Sequence, residues 1–123
     1  MSDASIKILV VDDDMFTAEL TGIVLESAGY ETVIAEGGVD ALEKLAKDPA
    51  FRLVVSDMHM PLIDGAELFK EIRRLGLALP FILLTGQDAD RLTADYPDMD
   101  AVLQKDESFQ ELLPELVGAL LTR

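Results

Sequence analysis

Four short stretches carry the side chains with chemical potential: Asp12, Asp13 and Asp14 in ILVVDDD, the lone Asp57 in LVVSDMHMPLIDG, Thr85 in FILLTG, and Lys105 in VLQK. Taken singly, each has an ordinary role. An Asp after a strand is a natural helix N-cap, and Asp14 fits that part best. Thr85-Gly86 suits a turn, Lys105 a solvated strand end, and His59, the only histidine, an exposed or packed loop position. Taken together they say more. Carboxylates held close cannot all ionise without a cation among them. Mg2+ suits an all-oxygen site that keeps room for water and phosphate oxygens, and with no Cys and a single His no zinc cluster is available. Around such an ion one carboxylate can lie in line with an incoming phosphoryl group while Thr85 and Lys105 hold its other oxygens. Phosphoryl transfer needs little beyond that positioning and charge stabilisation. Attack by a carboxylate gives an acyl phosphate, and Asp57 is the best nucleophile because it ends the middle strand, flanked by the others.

That convergence requires a particular scaffold, and the chain supplies it. Apolar runs rich in Val, Ile and Leu begin at Ile6, Glu31, Arg52, Pro80 and Ala101. Several are nearly continuous, as suits strands covered on both faces. Between them lie helical spacings. Phe16, Leu20, Ile23, Val24 and Ser27 mark the expected inner face of the first helix, with Gly29 as its stop. Val39, Leu42, Leu45 and Ala46 mark the second, Leu68, Phe69 and Ile72 the third before Gly76, and Leu112, Leu113, Leu116, Val117, Leu120 and Leu121 the last. Pro114 falls inside that last helix, so an irregular first turn is expected. DADRLTADYPDMD is poor in apolar residues and cut by Pro97, so the fourth helix is expected to be one or two turns long. Five strand–helix repeats imply a parallel sheet with helices on both faces. Such sheets present their ligands beyond the carboxyl ends of the strands, where Asp12–Asp14, Asp57, Thr85 and Lys105 all stand.

Composition narrows the partners. The 123 residues fit one domain, 1–123, with residues 1–5 as a flexible N-terminus. A formal charge of −14 repels nucleic acid and anionic membranes and favours partners with basic or apolar patches. The first apolar run is too short for a signal peptide or a membrane span, so a cytoplasmic location is expected.

ILVVDDD, LVVSDMHMPLIDG, FILLTG and VLQK, in this order, resemble the signature blocks of response-regulator receiver domains (CheY-like) of two-component signalling, from Ile6 to about Leu121. The resemblance implies a doubly wound, flavodoxin-like three-layer sandwich with strand order 2-1-3-4-5. It implies phosphorylation of Asp57 by a phosphohistidine on a sensor kinase or phosphotransfer protein. It further implies Mg2+ held directly by Asp13, Asp57 and the backbone carbonyl of His59, with Asp12 acting through a water. Thr85 and Lys105 would contact the phosphoryl group, Pro61 and Gly65 would shape the loop after Asp57, and Gly86 would leave the phosphate room. His59 and Gln87 occupy positions that flank the path of attacking water.

Three departures bear on output. Val102 stands where the family usually carries the aromatic coupled to Thr movement. Asp106 follows Lys105 where the family has Pro after a cis bond. A cis bond to a non-proline costs roughly 2.5–4 kcal/mol, so either the loop carries that strain or the bond runs trans and Lys105 is re-aimed. The stretch from Thr85 to Lys105 is also short for the family. The expected function is a signalling module, not an enzyme, acting through altered protein contacts as a stand-alone receiver or part of a larger protein. A Mg2+-dependent phosphohydrolase with Asp57 as nucleophile, and a degenerate receiver that only binds a partner, remain open alternatives.

Overall fold

The computed structural model describes residues 6–122. Strands and helices alternate as β1 (Lys7–Val11), α1 (Met15–Ser27), β2 (Glu31–Ala35), α2 (Gly38–Lys47), β3 (Phe51–Asp57), α3 (Gly65–Arg74), β4 (Phe81–Thr85), α4 (Ala89–Asp95), β5 (Ala101–Gln104) and α5 (Phe109–Thr122). All four strand pairings are parallel, in the order β2-β1-β3-β4-β5. Strand alternation sends side chains to two cores. Leu9, Val11, Val54, Phe81 and Leu83 meet α2, α3 and α4 on one face. Ile8, Val10, Leu53, Val55, Ile82 and Leu84 meet Leu25 of α1 and Phe109, Leu113 and Val117 of α5 on the other. The central strands are therefore apolar on both sides, which explains their unbroken Val, Ile and Leu runs. No helix among the described residues is long and apolar enough to cross a membrane.

Helix ends follow local chemistry. The Asp14 side chain caps α1 by accepting from the N–H groups of Phe16 and Thr17. At α3 the Asp64 carboxylate accepts from Glu67 N at 2.8 Å while Glu67 accepts from Asp64 N at 3.1 Å, a reciprocal capping box. Gly29 and Gly76, both at positive φ, end α1 and α3. The fourth helix has seven residues. The irregular first turn expected of α5 is corrected: the helix runs unbroken through Pro114, and its start is ordinary, with Leu112 N donating to Ser108 O at i→i−4 and Glu111 N sharing that acceptor.

The expected inner face of α1 is corrected. Phe16 is 80 % exposed, Leu20, Ile23 and Ser27 also face outward, and only Val24 of the set packs inward. The buried residues are Ala18, Thr21, Gly22 and Leu25. Small side chains let the helix axis lie close to the sheet: a Cβ on Gly22 would already stand 3.3 Å from Thr32 Oγ1. Both faces of α1 obey helical spacing, and the closeness of packing chose the smaller one. Val39 and Ala46 in α2, and Leu112 in α5, likewise face solvent, whereas Leu42, Leu45 and the α3 triplet pack inward.

Gly65 positions the loop that follows β3. A Cβ there would lie 2.5 Å from the Asp57 carbonyl oxygen and 2.5 Å from Leu83 Cδ1. Neither neighbour can yield, since one is backbone and the other is core. Gly65→Ala should therefore cost about 3 kcal/mol in urea unfolding. Gly86→Ala, whose Cβ meets nothing within 4 Å, should cost much less. Equal costs at the two positions would contradict this packing.

Candidate functional site

Register brings the site together. Val11 pairs with Ser56, so Asp12 and Asp57, each one residue further on, emerge side by side. Asp12 N donates to Ala35 O, Met58 N to Leu84 O and Lys105 N to Thr85 O, which extends the ladders past the strand ends. Alternation then puts Asp12, Asp57 and Lys105 in phase with Val10, Val55 and Leu103, on the α1/α5 face of the sheet. Thr85 is in phase with Leu83, on the opposite face.

The side chains meet accordingly. Lys105 Nζ lies 2.6 Å from Asp57 Oδ1 and 3.6 Å from Asp12 Oδ2. Oxygens of Asp12, Asp13 and Asp57 lie within 4.8 Å of one another. Asp13 is exposed, Asp57 is half-buried and Asp12 is 3 % exposed. One Asp12 oxygen accepts from Asp14 N at 3.0 Å. The Lys105–Asp106 peptide is trans, and Lys105 still reaches Asp57, so the trans bond has not turned it away. Asp106 instead serves the next helix, accepting from Ser108 N and Oγ.

Thr85 is buried and separate from this cluster. Its hydroxyl donates to Gln87 O at 2.6 Å. On that side a hollow of about 220 Å3 opens between the loops after β3 and β4, lined by Met58, His59, Thr85, Gln87, Asp88 and Arg91 among others. Arg91 went unnoticed in the sequence. In DADRL it looks like any exposed helical cation, and only the fold shows that it shares a hollow with Thr85.

Burial pushes the Asp12 carboxyl above its ordinary range. The Asp14 N–H pulls it down, Asp57 pushes it up, and Lys105 and Asp13 pull and push more weakly. Buried acids this close need positive charge. Lys105 supplies one unit, and the donor set, all hard oxygens, fits a small divalent ion.

The class is thus a doubly wound α/β domain with an acidic cluster and one lysine at the carboxyl edge of its central strands. The model of the response regulator receiver domain matches residues 8–117, and the chain belongs to that family. It is 35 % identical to a transcriptional regulatory protein, the CpxR homolog of Haemophilus influenzae, over 93 % of this chain and 50 % of that protein. It is 37 % identical to response regulator MprA of Mycobacterium tuberculosis over 97 % of this chain and 52 % of that protein. The chain spans about half the length of the curated relatives it matches. Among solved structures, TrrA of Thermotoga maritima, a response regulator in complex with Mg(2+)-BeF, superposes with a TM-score of 0.84 at 37 % identity, covering 94 % of this chain and 99 % of that one. A receiver domain from Clostridium thermocellum gives 0.86 at 26 % identity, covering 96 % and 95 %.

A raised carboxyl pKa carries a sign. Folded Asp12 binds its proton more tightly than unfolded Asp12. Its contribution to stability is therefore fully present below the ordinary value of 3.8 and is lost as pH rises through the raised one. With metal chelated at neutral pH, Asp12→Asn should raise the Tm, by about 4 °C per kcal/mol of relief for a domain of this size, and flatten the loss of stability above pH 3.8. A lowered Tm would show that the Asp12 charge stabilises the metal-free fold.

Proposed function

We propose that Asp57 is the phosphoacceptor of this receiver. In a Mg2+-dependent reaction it takes a phosphoryl group from a phosphohistidine on a sensor histidine kinase or histidine phosphotransfer protein. The observation that carries this reading is the Asp57 carboxylate itself. It ends the middle strand, has one oxygen held by Lys105 at 2.6 Å, and lies among the oxygens of Asp12 and Asp13. Lys105 fixes Oδ1, which leaves Oδ2 to attack phosphorus. Asp13, Asp57 and the His59 carbonyl would hold the ion directly and Asp12 through a water. The bound ion supplies the charge neutralisation that lets a phosphate approach three acids. Lys105 stabilises one phosphoryl oxygen, and Thr85 a second once its hydroxyl leaves Gln87 O.

The domain, 1–123 on this reading, works in the cytoplasm as a signalling module and turns over no separate substrate. Its charge of −14 argues against direct contact with nucleic acid. The outward face of α1 gains a purpose here. Met15, Phe16, Leu20 and Ile23 are exposed large apolar residues on a helix that starts one residue after Asp12–Asp14, and Leu62, in the loop after Asp57, is 91 % exposed. Leu20 also lines a hollow with Lys105 and Asp106. A partner that presents an imidazole to Asp57 must cover this ground, and it is apolar where most of the surface is acidic.

With Mg2+ and acetyl phosphate, the chain should gain the mass of one phosphoryl group, mapped to Asp57, and Asp57→Asn should gain none. Equal labelling of the two would refute the assignment. Phe16→Ala should slow transfer from a phosphorylated phosphotransfer protein about tenfold, the effect of losing a modest interface anchor. Labelling by acetyl phosphate should be unaltered. An equal loss with both donors would rule out the docking role.

A further inference from the structure

Among the described residues two cations stand at the edge of the sheet where Asp57 lies, and the cluster engages only one. Helices in this fold start at the carboxyl edge and run away from it. Lys7 opens β1 and Arg52 falls at the start of β3, both at the far edge. Lys44 and Lys47 lie in the last turn of α2, Arg73 and Arg74 in the last turn of α3. Lys70, past the middle of α3, lies over the Tyr96 ring. Arg123 is outside the described residues. Lys105 is held by Asp57 and Asp12. Arg91, third residue of α4, is the remaining cation at that edge among the described residues. Around it the edge is acidic, with Asp13, Asp14, Asp64, Asp88 and Asp90 in loops or first turns.

Arg91 is also placed to act. It lines the same hollow as Thr85, His59 and Gln87. Its side chain is 70 % exposed, and its contact with Asp88 is a loose 3.7 Å. Asp88 sits at φ 62 and makes no capping bond. The guanidinium is therefore charged, weakly neutralised and free to turn toward the hollow.

We propose that Arg91 is a steering and specificity-determining residue for small anionic phosphodonors, drawing an acyl phosphate into the hollow beside Thr85, from which Asp57 takes the phosphoryl group. This rests on the reading of Asp57 as phosphoacceptor. In the step itself an Asp57 carboxylate oxygen bonds to phosphorus, the bridging P–O bond breaks, and the acyl group leaves as its carboxylate. No proton or electron is left over. Arg91 takes no part in that exchange. It raises the local concentration of a dianion that a chain of charge −14 otherwise repels, and such an effect fades as salt screens it.

The test measures the rate of Asp57 phosphorylation in the full chain with Mg2+, against donor concentration, at low and high salt. Acetyl phosphate is compared with phosphoramidate, which carries less negative charge at neutral pH. For acetyl phosphate at low salt, Arg91→Glu should lower the second-order rate about tenfold and Arg91→Ala about threefold. Arg91→Lys should stay near the parent, and Asp88→Asn should exceed it. The maximal rate should not move, the deficits should close at high salt, and they should be smaller for phosphoramidate. An Arg91→Glu rate equal to the parent, or a deficit indifferent to salt and donor, overturns the proposal while leaving Asp57 as acceptor. A parent chain that neither donor labels overturns the acceptor reading and this inference with it.

Discussion

Two carboxylates at the ends of adjacent strands, Asp12 and Asp57, share one ammonium with Asp13 close beside them, and the rest of the molecule is arranged around that constraint. Lys105 lies 2.6 Å from Asp57 and 3.6 Å from Asp12, so it balances part of a charge that burial makes costly. The raised pKa of Asp12 is the residue of that imbalance. A site of this kind detracts from the stability of its own fold, and the two apolar layers on either side of the sheet have to offset it. On the proposed reading, the same imbalance would favour a divalent cation and then a phosphate.

Most of this was legible in the sequence because strands and caps are local. Continuous Val, Ile and Leu runs fix β1, β3 and β4, and Asp14 and Gly76 mark helix ends by their own chemistry. The clustering of Asp12, Asp57 and Lys105 followed from counting strands and knowing where a parallel sheet opens. The inner face of α1 was not legible. Its two faces have the same period, and only the approach to Thr32, a residue on another element, selects Ala18 and Gly22 over Phe16 and Ile23. Arg91 was hidden for a similar reason: its significance depends on where the other described cations lie in space. Parity also refines the site, since Thr85 faces the α4 side and Lys105 the α1 side.

The output side differs from the family pattern in ways that packing makes concrete. Val102 is partly buried and packs against the same core as Leu92 and Met99. The aromatic of this region is Tyr96, at the end of α4, with Lys70 over its ring. Asp100 accepts from Phe81 N at 2.8 Å and from Arg73 at 3.2 Å, tying the approach to β5 onto α3 and β4. The short α4 is thus held from its C-terminal side, while its N-terminal side rests on Asp88 at positive φ and on the Thr85–Gln87 hydrogen bond. The Thr85–Gln87 hydrogen bond thus ties the end of β4 to the turn that opens α4.

The central claim is that Asp12, Asp13 and Asp57 form one cation site that holds a phosphoryl group on Asp57. Calorimetric titration of the chain with Mg2+, alone and with beryllofluoride as a phosphoryl mimic, tests it most directly. One equivalent of Mg2+ should bind, beryllofluoride should bind only with Mg2+ present, and both should be lost in Asp13→Asn. Beryllofluoride binding without Mg2+, or undiminished Mg2+ binding by Asp13→Asn, would contradict it.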